Sequence, residues 1–236
     1  YRSFVHYFST RGFNVREPQF PLVAIVWSKQ DDFVRYARNE GTTLPPGVLG
    51  YYSPITNRIV LYDTAATKER SSDWTLNAST IIHEATHQSA FNTGVHSRYA
   101  QPPRWIAEGL GMLYEARGIY DSRRFTQQSD RINASRLSDF KRYRQAAYRP
   151  GSLAEFVASD RAFRAQLSLA YAEAWALTSF LAEKYPQKYC ALLKRTAELK
   201  PFTEYSTAQR MADFTQIFGS NLPLLEAEFL RYLDTL

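Results

Sequence analysis

The chain is poor in the residues that would let small proteins hold together covalently or bind metal by chance. Among 236 residues there is one cysteine, Cys190, and there are four histidines. A lone cysteine cannot close an intramolecular disulfide, so a disulfide framework is excluded. That fits a cytosolic protein, and equally an exported bacterial protein that needs no bridges. No uninterrupted apolar run approaches the ~18 residues of a membrane-spanning helix. No internal repeat or low-complexity tract interrupts the chain, and 10 Gly and 11 Pro are ordinary numbers. What is present is globular: 44% hydrophobic, 22% charged and 15% aromatic residues. Such a composition argues against disorder, and a chain of this length buries most of its apolar surface without covalent help.

The net charge of +6 is unevenly placed. Nine Lys/Arg between Arg117 and Arg149 face only Asp121, Asp130 and Asp139, so this segment alone carries the whole excess. Basic residues interleaved with Phe125, Phe140, Tyr143 and Tyr148 can bind single-stranded nucleic acid. No nucleic-acid module accompanies them, which argues against nucleic acid as a partner. A solvated basic face, or a rim that draws acidic peptides, explains the segment better.

Along the chain, residues 1–20 read as a short helix followed by a loop. The apolar run FPLVAIVWS (20–28) predicts a buried strand, and KQDDFVRYARNEG has helical spacing with a stop at Gly41. GVLGYYSPITNRIVLYD (47–63) predicts two strands around a turn. A helix beginning near Asp73 or Asn77, either of which can cap it, should run to Asn92–Gly94. Pro102 and Pro103 mark the start of another helix that should reach Gly118. From about residue 137 the pattern is helix after helix, separated by Pro or Gly.

Two of the four histidines stand four residues apart in His83-Glu84-Ala85-Thr86-His87, an H-E-x-x-H pattern. Residues i and i+4 share one helix face, so both imidazoles can reach one ion. Zinc accepts neutral imidazole nitrogen at roughly 2.0–2.1 Å and prefers four tetrahedral positions. Glu84 is turned about 100° from His83, beside the open position, where it can take a proton from water acidified by the metal. Two histidines leave the site a ligand short. An H-E-x-x-H-x-x-G-x-x-H continuation fails, because Ala90 and Thr93 occupy the required Gly and His positions and His96 comes three residues late. The alternative is a carboxylate on the next helix, and PRWIAEGLGMLYE supplies Glu108. Gly109 and Gly111 inside that helix each cost ~1 kcal/mol in propensity relative to Ala. That double cost predicts close approach of another helix.

At these residues the chain resembles the gluzincin metallopeptidases, and more closely the bacterial peptidase-MA-like proteins. GYYSPITNRIVLYD, HEATHQ, PPRWIAEGLGMLYE and YAEAWALTSFL follow one another in that family's order. The likeness spans about residues 20 to 235 and is strongest from 47 to 185. It implies zinc held by His83, His87 and Glu108, with Glu84 as general base. Two positions depart from the pattern. Gly111 stands where family members often carry Ala, a mild change. Met112 stands where some gluzincins carry an Asp that orients the first histidine, leaving the partner of His83 unassigned.

Peptide hydrolysis builds an oxyanion that needs a second donor. Tyr171 in LAYAEAWAL is the first choice, matching a downstream Tyr of the family pattern, with His96 and Arg104 in reserve. His6 is remote from every motif and reads as structural. In zincins the strand before the active helix often pairs with an extended substrate, which here would be Asn57–Tyr62. The Gly-x-Met-Glu-Asn motif of related aminopeptidases is missing, which favours an endopeptidase.

The expectation is therefore an α+β fold. A zincin-like part over residues 1–120 carries a small mixed sheet, the HExxH helix and the Glu-ligand helix. A mostly helical part follows over 121–236, the two forming one compact unit. The expected activity is zinc-dependent hydrolysis of a peptide or protein substrate. A non-catalytic binding protein on the same scaffold is the alternative. The start at Tyr1 rather than Met, with the resemblance, favours an exported protein whose signal peptide has been removed.

Overall fold

The structure is a computed structural model that describes residues 1–65 and 75–236. The fold is α+β: among the described residues, three strands make one mixed sheet and twelve helices build the rest. Helix α1 (Arg2–Ser9) is followed by strand β1 (Val23–Trp27), helix α2 (Gln30–Asn39) and the hairpin of β2 (Gly50–Ser53) and β3 (Arg58–Tyr62). Two long helices follow, α3 (Thr75–Thr93) and α4 (Arg104–Tyr114), then the short α5 (Arg117–Tyr120). The remaining helices are α6 (Ala134–Ala146), α7 (Ser152–Ala158), α8 (Arg161–Ala165), α9 (Leu167–Lys184), α10 (Pro186–Ala197), α11 (Thr207–Phe218) and α12 (Leu222–Asp234).

The sheet order is β1-β3-β2, with β1 parallel and β2 antiparallel to β3. This corrects two sequence expectations. Strand β3 pairs on both sides, so its backbone groups are already used and no substrate can pair with it there; among the described residues the free edges belong to β1 and β2. Strand β1 is an edge strand and is not buried, since Val23 is 42% and Val26 57% exposed. An apolar run does not reveal how many neighbours a strand will have. Ile25 and Trp27 alternate with Val26 and pack toward Phe33, Val60 and Tyr62.

Helix α3 lies on the sheet. Gln88 Nε2 donates to the carbonyls of Val23 and Asn57 at 3.0 and 2.9 Å, and Asn92 and Asn57 exchange amide hydrogen bonds. The helix begins at Thr75, so Asn77 lies within its first turn and is not the cap; Asp73 lies outside the described residues. Asn77 instead ties the helix start to the end of β3. Its Nδ2 donates to Asp63 Oδ1 at 2.8 Å, and its Oδ1 accepts from the Thr64 N–H at 3.1 Å. Gly94 ends the helix with φ of +86°, as expected for a left-handed C-terminal residue.

Helix α4 ends at Tyr114 rather than running to Gly118, because Ala116 is extended; Gly118 lies within α5. One hydrophobic core runs from Phe4 in α1 to Leu233 in α12, centred on α4 and α9. Gly109 permits that packing, since a Cβ there would overlap Thr178 Oγ1 and the Ala174 carbonyl oxygen of α9. No helix among the described residues is long and apolar enough to cross a membrane.

Candidate metal centre

His83 and His87 stack one turn apart on α3, ring centroids 4.7 Å apart and nearly perpendicular. Helix α4 packs against α3 and brings Glu108 to the same point. His83 Nε2 lies 3.1 Å from His87 Nε2 and 3.2 Å from Glu108 Oε2, and His87 Nε2 lies 3.7 Å from that oxygen. A tetrahedral ion with bonds of roughly 2.0–2.1 Å needs donor separations of roughly 3.3 Å. The three measured edges bracket that value. All three side chains are withdrawn from solvent, with 13–18% of each exposed.

The fourth member of the arrangement was not visible in the sequence. Glu115 Oε1 lies 2.8 Å from His83 Nδ1. A carboxylate accepts, so Nδ1 carries the proton and Nε2 keeps its lone pair for an ion. Asn133, at the cap of α6, donates from Nδ2 to Glu115 Oε2 at 2.8 Å and holds that carboxylate in turn. Glu115 therefore supplies the orienting partner that Met112 cannot. It lies seven residues after Glu108, two helical turns, which is the one signal the sequence offered.

Three lone pairs facing one another at these distances repel unless a proton or a metal ion lies among them. The protonation tendencies express this demand. Burial lowers the basicity of His83, but hydrogen bonds to Glu108 and Glu115 and the charge of Glu84 outweigh it, and its pKa stands well above the usual value. Burial pushes Glu108 up, and hydrogen bonds from His83 and His87 more than reverse this, holding its carboxyl below the usual range. A donor set of two imidazoles and one carboxylate is one that divalent transition metals, zinc among them, accept.

Gly111 lets α4 come this close. A Cβ there would lie 2.7 Å from His83 Cε1, so an alanine is not the mild change that the family pattern suggested. Close approach was expected for both glycines. The structure divides it, with Gly111 against the histidine of α3 and Gly109 against α9.

Glu84, one residue on from His83, is partly buried and takes no part in the hydrogen bonds of the cluster. Tyr171, in the first half of α9, is near enough for Glu108 and Glu84 to act on its hydroxyl. Burial and those two carboxylates raise its pKa, against the opposing Arg104. Its ring is fixed edge-on to Phe163 at 5.8 Å and lies under Arg136 at 5.6 Å. Arg104 Nε lies 3.8 Å from Glu108 Oε1, and its side chain also hydrogen-bonds Tyr171. His96 is apart from the cluster and fully buried. His6 is on α1.

On the basic segment, Arg117, Arg131, Arg136, Arg142, Arg144 and Arg149 each face an acidic partner. That leaves much less free positive charge than the sequence count implied.

A family model described as a protein of unknown function (DUF1570) matches residues 77–203, more than half of the chain and including all but the start of α3, the whole of α4 and Tyr171. No curated protein matches the chain, and no solved structure does.

Proposed function

The chain belongs to the DUF1570 family, whose description assigns no activity, and from the metal centre we propose a zinc-dependent peptide hydrolase of the gluzincin type. One observation carries the reading: the imidazoles of His83 and His87 and the carboxylate of Glu108 converge at 3.1–3.7 Å, with Glu84 adjacent but outside the ligand set. A zinc ion bound there supplies Lewis acidity, polarising a carbonyl and bringing the pKa of water toward neutrality.

The chain's own residues do the rest. Glu84 accepts the proton of the attacking water on its carboxylate and passes it to the leaving nitrogen. Glu115, held by Asn133, keeps His83 Nε2 turned to the ion. Tyr171 donates its hydroxyl hydrogen to the developing oxyanion, and its raised pKa keeps that hydrogen in place at neutral pH. An extended peptide would pair with β2, the free edge that lies against α3. Gly50 of β2 sits against Thr80, one turn before His83, and Tyr52 stacks on Phe91, one turn after His87.

Glu84→Gln should keep zinc and lose turnover by about 10²–10⁴-fold, read by mass spectrometry of a mixed peptide library. Undiminished cleavage in that variant would remove the mechanism. Zinc binding with no cleavage by the unaltered chain would favour a binding protein on this scaffold.

A further inference from the structure

We infer that the cavity at the C-terminal end of α3 binds a small polyanion, a molecule carrying two or more phosphate or carboxylate groups. The cavity measures about 960 Å³, within the ~300–1,000 Å³ of small-molecule sites. Its walls are the segment after α1, the last turn of α3 with the loop beyond it, and α10. None of His83, Glu84, His87 and Glu108 lines it.

Three guanidiniums reach it, from Arg11, Arg16 and Arg98, and none has a carboxylate partner among the described residues. This contrasts with the arginines of the 117–149 segment, most of which are paired. Two of the three are held in position. Arg11 donates to the Tyr7 carbonyl at 3.1 Å and lies 3.6 Å over the Tyr7 ring, and Arg98 donates to Asn92 Oδ1 at 2.6 Å. Arg16 lies against Gly94. Lys194 adds a fourth cation, 3.9 Å from Glu198, and Glu17 is the other acid on the wall. Four cations against two acids leave a charge of +2. Forked guanidiniums without partners are matched to phosphate and carboxylate oxygens.

An independent observation comes from His96, which also lines the cavity. It is 2% exposed, and neither ring nitrogen has a well-formed hydrogen bond among the described residues. Buried polar groups are almost always satisfied, and an orphaned one calls for an explanation. A bound oxyanion would accept from its N–H. Burial, with a smaller effect from neighbouring His87, outweighs an opposing interaction with the Val95 backbone and lowers its pKa to about 3, so the ring is neutral and retains one donor and one acceptor.

The test is calorimetric titration of the full chain with inorganic pyrophosphate at fixed ionic strength, alongside three variants. One saturable event per chain is expected. Charge-assisted hydrogen bonds set the loss at about tenfold in affinity for Arg98→Gln and for Arg16→Gln. Arg16 makes no side-chain hydrogen bond among the described residues, so its variant should fold as the parent does. Glu108→Ala should bind as tightly as the parent. Absence of saturable binding would overturn the proposal, as would an affinity equal to the parent's in both arginine variants. Binding lost in Glu108→Ala but kept in Arg16→Gln would place the anion at the metal centre and overturn it equally.

Discussion

Glu108 on α4 and Glu173 on α9 sit on helices that pack directly together through Gly109, yet their carboxyl groups are driven in opposite directions. Glu108 faces two imidazoles and is held ionised below the usual carboxylate range. Glu173, 4% exposed, has one oxygen without a hydrogen-bond partner. Burial pushes its pKa up to about 8; Tyr143 opposes the shift, and Glu226 and Glu155 add to it. Both are acids in a helical interior, and burial alone would neutralise both. The difference is the company each keeps. Glu108 accepts hydrogen bonds from two imidazoles, and Glu173 has a tyrosine and two further carboxylates as its neighbours.

The largest effect that would sharpen this contrast should come from Glu115. Removing an orienting partner of a metal-bound histidine typically costs about 10–100-fold in metal affinity. Competition with a fluorescent chelator should show that loss in Glu115→Ala, and an unchanged zinc affinity would mean that Glu115 does not orient His83.

Glu173→Gln removes the other side of the comparison. A carboxyl whose folded pKa is raised keeps its proton in the native state while the unfolded chain releases it. Stability therefore falls as pH rises from about 4.5 toward about 8. Thermal melts of both zinc-loaded proteins should diverge across that window. The glutamine variant should gain several degrees on the parent by pH 8. A difference that stays constant with pH would show that Glu173 is ionised in the folded protein.

Smaller effects should separate the two faces of α4. Gly109→Ala forces a methyl into α9 and should cost roughly 1–3 kcal/mol of stability, as overpacking does. Its zinc affinity should change less than that of Gly111→Ala, whose methyl meets the His83 ring. Paired melts and zinc titrations that ranked the two variants the other way would contradict this division.

Local spacing made His83, Glu84 and His87 legible, because i and i+4 share a helix face whatever surrounds them. Glu108 was legible from its helix and from glycines that cost propensity without local benefit. The hairpin of β2 and β3, the stop at Gly94 and the run of C-terminal helices also followed from local signals. Glu115 was not legible, since α4 and α3 must first be packed before its two-turn offset from Glu108 points at His83 Nδ1. The same limit explains the strands. The apolar run at β1 looks buried until its place at the edge of the sheet is known. Nothing in Asn57–Tyr62 announces that β3 takes a neighbour on each side. The cavity beside Arg11, Arg16 and Arg98 joins a segment read as loop to α10, about 180 residues away in the chain, and no local pattern encodes that meeting.

The most direct test is zinc per chain by mass spectrometry for the parent, Glu108→Gln and Glu173→Gln, each purified without chelator, re-supplied with zinc and dialysed. The expected values are one, none and one, because of these two glutamates only Glu108 stands in the cluster with His83 and His87. A parent without zinc, or a Glu108→Gln protein that still holds one ion, would contradict the metal centre.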